Sequence, residues 1–284
     1  KLSSGKSNVI GLVLLQSTEQ LFNDAFLLQV LVGIEDAAAR YGFHVLLKHI
    51  KDTDFAGYSQ LVNENHADGI IFSGPLQQDP DLIQLHRKGY PIILMGQMPD
   101  TEIPFVDVNA ELGAQTAVEY LIKTGHRQIA MITNAKFKYS SAQQRTTGYL
   151  KALKAAEISI DDNLIKEGDF TPASGFQAMK EILDAPLRPT AVFVASDVVA
   201  IGAIKSIRQH GLEIPEDIAI IGFDDIPFAQ FFDPPLSTVR LPAYGIGWEA
   251  GERLIRLILG EGLDVHGVLL DTELVIRNTT TKAG

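Results

Sequence analysis

The chain alternates short, almost unbroken apolar runs with longer stretches whose apolar residues recur every three or four positions. The first pattern reads as strands buried on both faces, the second as amphipathic helices. Strands are expected at 8–15, 43–48, 68–73, 91–95, 106–108, 128–133, 191–195, 217–222 and 268–276. Helices are expected at 26–41, 55–65, 79–88, 110–123, 141–156, 173–184 and 247–260, with another opened by Ser196-Asp197 and closed at Gly211. Repeated strand–helix units imply an α/β fold of parallel sheets with right-handed crossovers. One sheet holding every strand would be long, so the pattern favours two lobes of about 120–150 residues.

Residues 191–239 carry the most information: AVFVASDVVAIGAIKSIRQHGLEIPEDIAIIGFDDIPFAQFFDPPLSTV. An apolar strand stops at Ser196-Asp197, two good helix-capping types, and Val198, Ile201, Ile204 and Ile207 follow at helical spacing. Gly211 closes that helix, and the next strand ends in Phe223-Asp224-Asp225. This is a parallel βαβ unit with polar groups at the carboxyl ends of both strands. In open α/β sheets, ligands bind at that edge.

The segments SDVVAIGA, IPEDIAIIGFDD and DPPLSTV resemble the effector-binding core of the lactose-repressor (LacI/GalR) family of bacterial transcription regulators. SGKSNVIGLVL, ADGIIFSG, GYPIILMGQ, GHRQIAMIT, SAQQRTTGYLKAL and ELVIRNTT agree in the same order, so the resemblance covers essentially the whole chain. It implies a periplasmic-binding-protein-like type I fold: two similar lobes, each a parallel sheet flanked by helices, with three inter-lobe crossovers near Thr124-Gly125, Leu241-Pro242 and Asp271. Residues 8–124 plus 242–270 would form the N-terminal lobe, and 125–241 plus 271–284 the C-terminal lobe. Residues 1–7 would be a remnant of the linker that follows a helix-turn-helix headpiece. The resemblance further implies a cytoplasmic homodimer, paired through helices such as 55–65 and 79–88. Operator DNA would be bound only by the full-length protein, and a small effector in the inter-lobe cleft.

The resemblance makes Asp224 the direct ligand contact and Asp225 a bracing group behind it. A carboxylate there accepts hydroxyl hydrogens from a polyol, whereas the plain reading of the pair is a turn. Arg145 lies four residues after Ser141 on one helix face, and its five fixed donors suit sugar hydroxyls or a carboxylate. Ser196 and Asp197 are either caps or ligand contacts; in the family the first of the two reaches the ligand and is commonly Asn. Phe170 matches a position where relatives place an aromatic wall, the alternative being a core Phe. Further candidates follow strands at the ligand edge: Ser73, Gln97 and Asn134, together with Gln16, Asp24 and Phe26 around the first long loop. Such a site is rich in hydroxyls and amides and suits a neutral sugar or polyol. A sugar phosphate would want more Arg and Lys.

Composition narrows the classes. At 284 residues and 46% hydrophobic the chain buries a full core. Its net charge of −11 opposes nucleic-acid binding by these residues alone. Zero cysteines exclude a disulfide scaffold and thiolate metal sites. No apolar run approaches the ~20 residues that span a bilayer, and no secretory leader is legible. Gly245-x-Gly247-x-x-Ala250 imitates a dinucleotide fingerprint but does not follow the first core strand, and among 24 glycines such matches arise by chance. None of the histidines forms a metal pair; His44 and His49 fall on opposite faces of a strand. No Walker motif or G-x-S-x-G elbow is present. We therefore expect no catalytic residues, metal or cofactor. A periplasmic sugar-binding protein feeding a transporter is the rival reading.

Overall fold

The structure, a computed structural model, describes residues 7–15, 24–50 and 66–280. They form two compact units. One takes the chain through Val108 together with Pro242–Leu270; the other takes Asn109–Leu241 and the chain from Asp271 onward.

The first unit contains strands β1 (Val9–Leu14), β2 (His44–His49), β3 (Gly69–Ser73), β4 (Ile92–Met95), β5 (Phe105–Val108) and β11 (Gly267–Leu270). They make one sheet in the order β11-β5-β4-β3-β1-β2, with every pairing parallel. Its helices are α1 (Ala25–Arg40), α2 (Pro80–Arg87) and α7 (Ala243–Leu259). The central strands are apolar without interruption because helices must cover both faces of a parallel sheet. α1 and α7 pack backbone to backbone: a methyl on Gly33 would overlap the Tyr244 carbonyl, and one on Gly247 the Val30 carbonyl. Of the Gly-x-Gly pattern, Gly247 thus serves helix packing.

The second unit holds β6 (Ile129–Ile132), β7 (Ile165–Lys166), β8 (Ala191–Val194) and β9 (Ala219–Ile221), parallel in the order β7-β6-β8-β9. An antiparallel ribbon of β10 (Thr238–Arg240) and β12 (Glu273–Val275) adjoins β9 through bridges at Ile221–Ser237 and Asp224–Arg240. The helices are α3 (Ala110–Lys123), α4 (Ser140–Ala155), α5 (Pro172–Asp184) and α6 (Asp197–Gln209).

Two expectations change. The first boundary was expected near Thr124-Gly125, yet α3 belongs to the second unit. It lies on α4, where Gly148 leaves room for the Glu111 carbonyl, and it also meets β10 and β12. The single strand expected at 268–276 is two, because β11 pairs with β5 and β12 with β10. Helix 55–65 and residues 1–6 lie outside the described residues.

The glycine contacts make a sharp comparison. Gly247→Ala forces a methyl into the α1 backbone and should destabilise the first unit by about 1–3 kcal/mol. Gly245→Ala, with its nearest neighbours 3.7 Å away, should be neutral or slightly stabilising. Urea unfolding of the two variants checks this.

Candidate functional site

In the second unit the candidates converge on one edge of the sheet. Asn134 follows β6, Phe170 follows β7, Ser196 follows β8 and Asp224 follows β9. Because the four strands run parallel, the carboxyl end of each opens at the same edge. Ser141 and Arg145 reach it from the first turns of α4.

Arg145 is the organising cation. It is 8% exposed, donates through Nη1 to the Ala195 carbonyl oxygen and lies 3.4 Å from Asp224 Oδ1. Its guanidinium carbon sits 4.1 Å from the centroid of the Phe223 ring, a cation–π contact. Its Nε, although buried, has no hydrogen-bond partner. Asn134 shows the complementary lack: Nδ2 donates to Ser141 Oγ at 3.0 Å, while the buried Oδ1 accepts nothing. Ser196 precedes α6, but its hydroxyl makes no capping bond to the helix.

Asp224 and Asp225 share one turn and have separate partners. Both have positive φ, 118° and 54°. The Asp224 amide donates to the Val239 carbonyl at 2.8 Å, tying the turn to β10. Asp225 accepts from Arg240 Nε at 2.8 Å and from Arg277 Nη2 at 2.7 Å, a double brace. Phe170 also has positive φ, 66°, and its amide donates to the Asn134 carbonyl at 2.8 Å. Its ring meets Tyr139 edge to face, centroids 5.3 Å apart.

Asp197 departs from the expectation of a ligand contact. It is wholly buried, Oδ1 accepting from the Thr238 hydroxyl at 2.7 Å and Oδ2 from the Ile226 amide at 3.0 Å. No surface remains for a ligand, so it acts as an internal brace. Burial, reinforced by the Asp224 carboxylate, pushes its pKa well above the usual carboxylate value. Arg145 and Asp224 are both under a tenth exposed and paired, so removing Arg145 takes a cation from a buried carboxylate and costs stability as well as any affinity.

The first unit's candidates also follow strands, but several have local duties. Asp24 caps α1, its Oδ1 accepting from the Phe26 and Leu27 amides at 3.1 and 3.2 Å. Phe26 is half-buried in the first turn of that helix. Ser73 ends β3, half-buried. Gln97 donates through Nε2 to Asp107 Oδ2 at 2.9 Å. Gln16 lies outside the described residues. Asp107, Phe223, Tyr139, Thr238, Arg240 and Arg277 escaped the sequence reading. A carboxylate inside the apolar strand Phe105–Val108 was the one available signal, for Asp107.

Known proteins resemble this chain in sequence and fold. Residues 118–280 match the family described as a periplasmic binding protein-like domain. The HTH-type transcriptional repressor CytR of Escherichia coli (strain K12) is 35% identical over 260 residues, 90% of this chain and 76% of the relative. The chain belongs to the LacI family of transcriptional regulators. The HTH-type transcriptional regulator CelR of Thermobifida fusca is 31% identical over 285 residues, covering 98% of this chain and 83% of its own. Among solved structures, a CelR–cellobiose complex superposes with a TM-score of 0.90 at 30% identity, covering 96% of this chain and 85% of that one. The lac repressor dimer bound to operator and the anti-inducer ONPF gives 0.86 at 28%, covering 98% and 96%. These LacI-family relatives are regulators, which sets the transporter reading aside. No helix among the described residues is long and apolar enough to cross a membrane.

The Asp197 environment predicts an inverted pH response. A carboxyl whose folded pKa is raised favours the native state when protonated, and that contribution is lost as pH rises from near 3.8 through the folded value. Asp197→Asn should abolish this loss. Urea midpoints from pH 4 to 8 should therefore fall more in the parent than in the Asn variant.

Proposed function

We propose that this chain is the effector-sensing core of a cytoplasmic LacI-family repressor and that its effector is a small neutral sugar or polyol. The observation that carries the reading is the pair of unsatisfied buried atoms, Arg145 Nε and Asn134 Oδ1, on the edge that also presents Asp224 and Ser196. A buried polar atom without a partner costs about 1–3 kcal/mol, so this edge gains from a molecule offering both donors and acceptors. Hydroxyls offer both. Phe170 and Tyr139 add an aromatic surface suited to the apolar face of a sugar ring. Cellobiose in the CelR complex supports the class. Asp24, which also caps α1, remains with Ser73, Gln97 and Phe26 a proposed contact on the first unit, as does Gln16.

A thermal-shift screen of mono- and disaccharides, cellobiose included, tests the class. A true effector at ~100 Kd should add roughly 2.7 kcal/mol of stability. Asp224→Ala should then weaken binding roughly ten- to a hundredfold, the effect of losing a charge-assisted hydrogen bond. A panel without shifts, or unchanged affinity in the variant, would refute the reading.

We also infer a homodimer, as for the lac repressor. Helix α2 remains a proposed contact. The described residues add a second candidate: Phe228 and Phe231 in the second unit are 63% and 76% exposed, an apolar pair that a second copy of the chain would cover. Sedimentation should give twice the 31.0 kDa chain mass, and Phe231→Asp should shift the species towards monomer. A parent that sediments as a monomer at high micromolar concentration overturns this. Operator binding belongs to a helix-turn-helix such as the relatives' names describe, since this acidic core supplies no excess of phosphate-neutralising charge.

A further inference from the structure

We infer that Asp197 is a positioning residue: it holds the Asp224 turn in the conformation that pairs Asp224 with Arg145. It contacts the site only from behind. Its amide donates to the Phe223 carbonyl at 2.7 Å, its Oδ2 takes the Ile226 amide and its Oδ1 takes the Thr238 hydroxyl. These bonds grip the chain immediately before Asp224, immediately after Asp225, and on β10, whose Val239 carbonyl accepts the Asp224 amide. The two residues between the clamps have positive φ. For residues bearing side chains that conformation is costly and persists only where the surroundings enforce it.

The surroundings are fitted to the carboxyl group. At Gly222 a methyl would overlap Asp197 Oδ1, so the strand end is shaped around that oxygen. The charged groups facing Asp197 are Asp224 and Asp225, both acidic, and its hydrogen-bond partners are an amide and a hydroxyl. The role is therefore geometric. One oxygen must accept from the Ile226 amide, while the other position can accept from the Thr238 hydroxyl or donate to it. Asn meets both demands; Ala meets neither.

The consequence for binding rests on the effector reading above, but the positioning itself is measurable without any effector. The experiment is a double-mutant cycle of Arg145→Gln and Asp224→Asn on urea unfolding of the full 284-residue chain, repeated in three backgrounds. In the parent, non-additivity should be about tenfold in the unfolding constant, and Asp197→Asn should retain it. In Asp197→Ala, and in Gly222→Ala should the former fail to fold, it should shrink below about twofold. A merely structural brace would lower stability in every background and leave the coupling unchanged, and that result overturns the inference. Loss of the coupling in Asp197→Asn would also overturn it, because charge rather than geometry would then be responsible. A second arm measures calorimetric affinity for the best sugar of the cellobiose-containing panel. Weakening in Gly222→Ala that persists on an Asp224→Ala background refutes action through Asp224. Coupling lost in the apo cycle with affinity unchanged leaves the positioning intact and removes Asp224 from the effector site.

Discussion

Asp224 and Asp225 sit in left-handed backbone, and the rest of the second unit's edge is arranged to keep them there. Neither is glycine, so the conformation must be over-determined by neighbours. Asp197 clamps the flanking chain, Arg240 and Arg277 hold Asp225, and β10 receives the Asp224 amide. With those contacts made, one carboxylate is spent on structure and the other is presented beside Arg145. Two adjacent residues of the same type thus acquire different chemistry from their partners alone.

This explains what was legible beforehand. Apolar runs broken by capping residues reveal parallel strands and helices because burial on both faces leaves no room for polar residues within a strand. The edge was legible for the same reason: polar side chains collect where Val194, Ile221 and Ile132 stop. The roles of the polar residues were not. Ser196 and Asp197 are adjacent capping types, yet the serine hydroxyl is left without a helix bond while the aspartate is sealed inside. That difference comes from Thr238 and Ile226, 41 and 29 residues away in sequence. The allegiance of α3 was hidden similarly, because it depends on partners distant in sequence: α4, approached closely at Gly148, and β10 and β12. Periodicity reports that a helix has an apolar face; it does not report which neighbour covers it.

Charge balance at the edge also bears on what the proposed site would accept. Arg145 is already engaged by Asp224, by the Ala195 carbonyl and by the Phe223 ring. An anionic ligand would have to compete with Asp224 for that cation. Both Arg240 and Arg277 are committed to Asp225, and releasing either would loosen the turn that presents Asp224. A neutral polyol faces no such conflict. Its hydroxyls can accept from Arg145 Nε and donate to Asn134 Oδ1 without displacing an existing ion pair. On the proposed reading, selectivity for an uncharged effector would follow from an arginine whose charge is balanced before any ligand arrives.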